Sequence, residues 1–394
     1  MSAFWSSGFR PFFLFGAAYG PLVQFGWFPL LAGWAAAGAM PPPGLWHGHE
    51  LVYGFAAAFV CGFVLTALPS WAGTPEVAGP RLVALALVWL AGRAAAWSYA
   101  WLPPGVIAAL DLLLFAALAA LVLPGLVRAL DRRYLALLPI LAAFIAADAI
   151  YHLGLARGDL VLAERALLGA VNVLVLLFAI VAGLLTPTFT QSELERRGLP
   201  ARVAAPGWLE VAAVGAALVF AAADWLALPP AQNGAVACAA AAIHAARLAH
   251  WRTRSIRAAP LVLAMHAGYA WLVAAMALRG LADVSGWVPR AAWIHAFTVG
   301  ALGMMMLAFL NRVSLRHTGR IAAATRLAGV GLAVMFAAGI ARVATDLLGG
   351  DVRWMAVSGV LWALPFALFL AEHGAKLLRP SLPRDAAVRS AFEP

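Results

Sequence analysis

Residues 46–71 read WHGHELVYGFAAAFVCGFVLTALPSW, and this stretch decides the fold. From Leu51 to Trp71 no residue carries a charge. A hydrocarbon core of ~30 Å needs about 20 apolar residues in helical form, so the run is long enough to cross a bilayer. At its head stand His47, His49 and Glu50. Polar groups at the mouth of a membrane helix are costly to bury and are seldom left without a partner. Imidazole is also the commonest metal ligand on a protein. The stretch therefore predicts a membrane helix and, at its mouth, a metal or haem site inside a helix bundle.

The rest of the 394-residue chain extends the pattern. Hydrophobic residues make up 64% and charged residues 11%, against roughly 45–50% and 25% in a soluble domain. Twelve apolar runs can be marked, near 11–38, 48–70, 81–101, 106–128, 134–155, 161–186, 208–227, 231–250, 260–280, 290–311, 324–347 and 354–377. The expected fold is all-α: one polytopic membrane domain over 1–394, with about 12 transmembrane helices. The polar loop near 189–207 divides it into possible halves, 1–190 and 205–394. Residues Met1 to Arg10 lack a charged n-region, so the first helix is read as retained and not as a cleaved signal.

Basic residues orient the bundle. Of the 27 Lys and Arg, five (Arg157, Arg165, Arg279, Arg290, Arg353) fall on one side and two (Arg93, Arg342) lie within spans, leaving 20 on the side of the termini. This positive-inside bias predicts cytoplasmic termini. The net charge of +10 is thus an orientation signal in short loops, not a sign of nucleic-acid binding. Cys61 and Cys238 each lie in an apolar run, which excludes a disulfide scaffold and a cysteine-based zinc or iron–sulfur site.

This topology sorts the histidines into two layers. His47, His49, His152 and His295 fall near the outer face. His266, His317, His244, His250 and His373 fall on the cytoplasmic side. His47 and His49, two residues apart, point about 200° apart on a regular helix and cannot share one metal there. Glu50 shares a face with His47, and Tyr53 with His49. Asp148 and His152 are four apart and can touch, the usual arrangement of a carboxylate orienting a ligating imidazole. His266 is followed at i+3 by Tyr269, whose phenol could serve the same site. Arg93, Arg342 and Asp346 are expensive in the membrane unless paired; arginines so placed suit haem propionates. Asp111, Asn172 and Asp224 read as structural polar groups or members of a proton path. Met304-Met305-Met306 point in three directions and read as packing. No phosphate-binding loop, nucleophile elbow, HExxH helix or CxxCH haem attachment occurs.

Several blocks, in order, resemble the NnrS family of bacterial membrane proteins: Phe9-Arg10-Pro11-Phe12-Phe13, Trp46-His47-Gly48-His49-Glu50, Gly62 to Trp71, Trp251-Arg252-Thr253, His266-Ala267-Gly268-Tyr269-Ala270-Trp271, His295 to Ala301 and Arg312 to Arg320. The likeness covers about residues 4 to 375. It implies a multi-pass protein of the bacterial inner membrane that carries one or two b-type haems and copper. It also implies a part in nitric oxide metabolism and protection from nitrosative stress. The family's motif histidines map onto His47, His49, His152, His266, His295 and His317, the first five, without His317, as metal ligands. Arg93, Arg312 and Arg342 join them as cofactor-binding residues. Arg316 stands where the family carries a glycine, which adds a charge beside His317.

The function expected on this basis is a haem-dependent oxidoreductase reducing nitric oxide to nitrous oxide with quinol-derived electrons. Glu50 and Tyr269 would be its catalytic residues, and Asp148 and Tyr53 would support the ligands. Nitric oxide, membrane lipid and quinol are the implied partners, with no nucleic acid; the oligomeric state stays open. A haem or copper protein that senses or scavenges nitric oxide shares the same residues. A secondary transporter of twelve spans is the third reading, and it lacks the paired Gly/Pro-broken helices that such folds use. The segments at His47 and His295 both open helices after a Trp, a hint of an internal repeat.

Overall fold

The computed structural model describes residues 2–31, 41–129, 131–199, 202–226 and 228–383. Among the described residues there is no strand, and every long element is a helix. In chain order these are α1 (Phe9–Leu31), α2 (Pro43–Ala72), α3 (Pro80–Ala96), α4 (Pro104–Arg128), α5 (Leu137–Arg157) and α6 (Leu160–Arg196). There follow α7 (Gly207–Ala223), α8 (Pro230–Ala249), α9 (Pro260–Ser285), α10 (Arg290–His317), α11 (Arg326–Leu347) and α12 (Val352–Leu378). Five of them begin on a proline, Pro43, Pro80, Pro104, Pro230 and Pro260, whose fixed φ and missing N–H suit the first helical position. Gly158, at φ 69°, ends α5 in a left-handed cap.

Among the described residues eight helices, α2, α4, α5, α6, α9, α10, α11 and α12, are long and apolar enough to cross a membrane. The other four expected runs are helical but fall short of that standard. α3 and α7 have 17 residues each, because the aromatic residues that lengthen these runs in sequence lie in the turns after the helices. α8 carries Gln232, Asn233, His244 and Arg247. α1 contains Pro21 and Pro29, and residues 32–38 of its expected run lie outside the described residues.

Contacts divide the chain into two compact units. The first is Met1–Val171, Arg316–Ile321 and Leu370–Pro394; the second is Asn172–Leu315 and Ala322–Phe369. The division falls within α6, whose helix runs on to Arg196 and so takes up the first part of the loop expected near 189–207. In the first unit α1 and α3 pack on α2, α3 pairs with α4, and α4 with α5. In the second, α8 pairs with α7 and α9, while α9 and α11 pack on α10.

Both α2 and α10 are interrupted by a seven-residue π-helical segment, Glu50–Ala56 and Ala296–Leu302. Each begins on the residue after a histidine, His49 or His295. The fifth residue of each is a glycine at a close approach. A Cβ on Gly54 would meet the Tyr19 ring and Arg93, and one on Gly300 would meet Trp271. Ala17-x-Tyr19-x-x-Leu22-Val23 of α1 recurs as Ala267-x-Tyr269-x-x-Leu272-Val273 of α9. The hint of a repeat therefore extends to a shared local plan in α1–α3 and α9–α11. π segments are rare, and they concentrate at functional sites.

Candidate metal centre

In the first unit the π segment sets the site. His49 ends the regular first turns of α2 and is buried, 1% exposed. Its Nδ1 lies 3.0 Å from Oε1 of Glu50, the first π residue. Its Nε2 lies 3.0 Å from Asp148 Oδ1 on α5 and 3.7 Å from Asp111 Oδ2 on α4. His152, one turn after Asp148, places Nε2 3.4 Å from Asp111 Oδ2 and 3.5 Å from Asp148 Oδ1. Arg93 on α3 donates to Glu50 Oε1 at 2.6 Å and to Asp111 Oδ1. Tyr19 on α1 donates to Glu50 Oε2 and accepts from Trp97 Nε1 at 2.9 Å. The rings of Tyr53 and Tyr151 stack on His49 at 4.9 and 4.5 Å, and the Tyr53 hydroxyl donates to the Phe144 carbonyl at 3.0 Å.

Two features single this cluster out. Asp111 Oδ2 and His152 Nε2 are buried and make no well-formed hydrogen bond, their polar neighbours standing at 3.4–3.7 Å, although such groups are nearly always satisfied. His49, Asp111 and His152 each offer one ligand atom, all within 4.8 Å of one another and all buried. The donor set fits a bare metal ion. It does not fit a haem, because the Asp148 and Asp111 oxygens occupy the approach to His49 Nε2 that a macrocycle would need.

The second unit holds separate polar groups. His266 on α9 has Thr190 at 2.8 Å from Nε2 and Thr253 at 2.9 Å from Nδ1. Tyr269, expected beside His266, instead places its hydroxyl 2.6 Å from Nδ1 of His244 on α8 and accepts from Arg247 at 3.1 Å. Arg247 also donates to the Ala179 carbonyl at 3.0 Å and to Glu210. His244 is fully buried and its Nε2 has no hydrogen-bond partner; sequence reasoning set this residue aside. Glu210 and Arg247 line a cavity of about 510 Å³, together with Ile180, Leu184, Gln191 and Glu195. His295 has Asp346 Oδ2 at 2.7 Å from Nδ1 and Arg342 at 3.2 Å from Nε2. Arg342 also pairs with Asp346 at 3.4 Å. The Asn172 side chain donates to Asp224 at 2.7 Å, and buried Arg279 does so at 2.6 Å.

The remaining candidates stand elsewhere. His47 stacks on Trp27 at 4.3 Å, so the two imidazoles of the Trp46–Glu50 motif do diverge. His317 is exposed, with its ring 5.5 Å from Phe9. Arg312 lies 4.0 Å over the Phe189 ring. Asp111 is the member that sequence reasoning left as a structural group. Its signal was a lone carboxylate inside α4, an apolar helix where an ionised group is costly.

A helical membrane protein with a buried histidine–carboxylate centre is the class that fold and site define. The family model described as NnrS protein matches residues 3–381, and the chain belongs to the NnrS family. No curated protein matches the chain.

Proposed function

We propose that this chain is a protein of the bacterial inner membrane that acts on nitric oxide at the His49–Asp111–His152 centre. It reduces two NO, with two electrons and two protons, to nitrous oxide and water, and so protects the cell from nitrosative stress. The observation that carries the reading is the pair of unsatisfied buried ligand atoms, Asp111 Oδ2 and His152 Nε2, in a member of this family. NO is small and apolar and reaches a site within a bundle through lipid.

His49, His152 and Asp111 would hold the ion, which supplies, when bound, a site that takes up NO and passes it electrons. Glu50 is the proton donor. Its Oε2 accepts a hydrogen bond from the Tyr19 hydroxyl, and its Oε1 faces His49 Nδ1. Arg93 orients Glu50 and Asp111 at once, and the Tyr53 and Tyr151 rings exclude water from His49. For the b-type haem implied by the family likeness, His244 would be a candidate ligand, with its Nδ1 positioned by Tyr269. Quinol supplies the electrons; the cavity at Glu210 has the size and mixed lining that a quinol head requires.

The test is turnover. Purified protein in quinol-loaded vesicles is given NO, and both NO and nitrous oxide are followed. One nitrous oxide per two NO, lost in His152→Ala, supports the reading. Stoichiometric NO uptake with no nitrous oxide would replace reduction by binding. No interaction with NO would overturn both.

A further inference from the structure

We infer that the ion at this centre is non-haem ferrous iron and not cuprous copper; the inference rests on the reading of the cluster as a metal centre. The charges give the first argument. Glu50, Asp111 and Asp148 are three buried carboxylates, and Arg93 is the one buried guanidinium paired with them. With neutral imidazoles the cluster keeps two negative charges, which a divalent ion cancels and a cuprous ion does not. Uncompensated charge at such depth is severely unfavourable.

The donor atoms give the second. Two imidazole nitrogens and one carboxylate oxygen form the two-histidine, one-carboxylate set that, with open positions, suits ferrous iron. No cysteine or methionine sulfur belongs to the cluster, and cuprous ion favours such soft ligands. The spacing agrees. Ligand atoms about 2.0–2.2 Å from an ion stand roughly 3.0–3.5 Å from each other at octahedral to tetrahedral angles. Asp111 Oδ2 lies 3.4 Å from His152 Nε2, inside that range, and 3.7 Å from His49 Nε2, slightly wider than it, and all three ligand atoms lie within 4.8 Å of one another.

The surroundings give the third. Arg93 occupies Asp111 Oδ1, which leaves Oδ2 as a single-oxygen donor. Glu50 at His49 Nδ1 would orient the ring as in a carboxylate–histidine–metal arrangement, and the ion would take the place of the Asp148 contact at Nε2, 3.0 Å. Asp148 Oδ1, beside both Nε2 atoms, is placed to accept from a ligand or water on the ion.

The experiment is metal analysis of the full chain, purified without oxygen. Total iron is measured against haem iron, with copper and zinc in the same sample. The protein is then stripped and offered Fe(II) or Cu(I) under reducing conditions. The expected result is one non-haem iron per chain and at least tenfold tighter retention of Fe(II) than of Cu(I). Asp111→His, which makes the set all-nitrogen, should reverse that preference while keeping one ion per chain. His152→Gln should lose the ion, which covers the case in which the Asp111 variant fails to fold. One copper or one zinc per chain in place of iron, removed by His152→Gln, would overturn the inference and leave the metal centre standing. A cluster that holds no metal as isolated or after loading, its charges balanced by imidazolium, would overturn both.

Discussion

Asp111 and His152 face each other across 3.4 Å in the interior of the first unit, and neither Asp111 Oδ2 nor His152 Nε2 makes a well-formed hydrogen bond. Leaving a buried polar group unsatisfied costs about 1–3 kcal/mol. An ion between Asp111, His152 and His49 resolves the cost, and the predictions below follow from that relationship.

Loading the centre should stabilise the protein. At an ion concentration of about 100 times Kd the gain is about 2.7 kcal/mol, read as a higher thermal midpoint in detergent. His152→Ala should abolish the increment. An equal rise in the variant would mean that the ion binds elsewhere.

Arg93 joins two carboxylates. Arg93→Met leaves Glu50 and Asp111 without their cation, and breaking a buried ion pair this way costs about 3–5 kcal/mol. Arg353→Met, at the exposed pair with Asp351, is the control and should leave the unfolding midpoint unchanged. A small effect of Arg93→Met would contradict the ion-pair geometry.

How much of this was legible in sequence varies with the range of the contact. The Asp148–His152 pair and the Tyr53 ring on His49 follow from helical spacing, and both are present. The divergence of His47 from His49 was equally readable. Asp111 and Arg93 were not placed, because α3 and α4 bring them to His49 only through packing between helices. Tyr269 was assigned to His266 by its i+3 position, yet α8 lies beside α9 and presents His244 and Arg247 to the hydroxyl. Among the described residues each apolar run holds a helix, eight of them long and apolar enough to cross a membrane, but run length overstated α3 and α7, since hydropathy does not register where a turn begins.

The two π segments predict parallel sensitivity at their glycines. Gly54→Ala drives a methyl into Tyr19 and Arg93, and Gly300→Ala drives one into Trp271. Overpacking of this kind costs about 1–3 kcal/mol. Gly54→Ala should also lower metal retention, because the segment sets His49 against Glu50. Gly44→Ala, with open space around it, should change neither stability nor metal content. A silent Gly54→Ala would show that the π segment is not needed for the site.

Glu50→Gln separates proton supply from ion binding. The amide keeps the volume but cannot give up the proton. Nitrous oxide formation should fall by about 10²–10⁴-fold, with metal content retained. Full activity in the variant would remove Glu50 from the mechanism.

The central claim is that NO is handled at the His49–Asp111–His152 centre, and an anaerobic NO titration of the reduced, metal-loaded protein followed by electron paramagnetic resonance tests it most directly. The account predicts a metal–nitrosyl signal that saturates at one NO per chain and disappears in His49→Ala and His152→Ala. The same signal, undiminished in both variants, would contradict it.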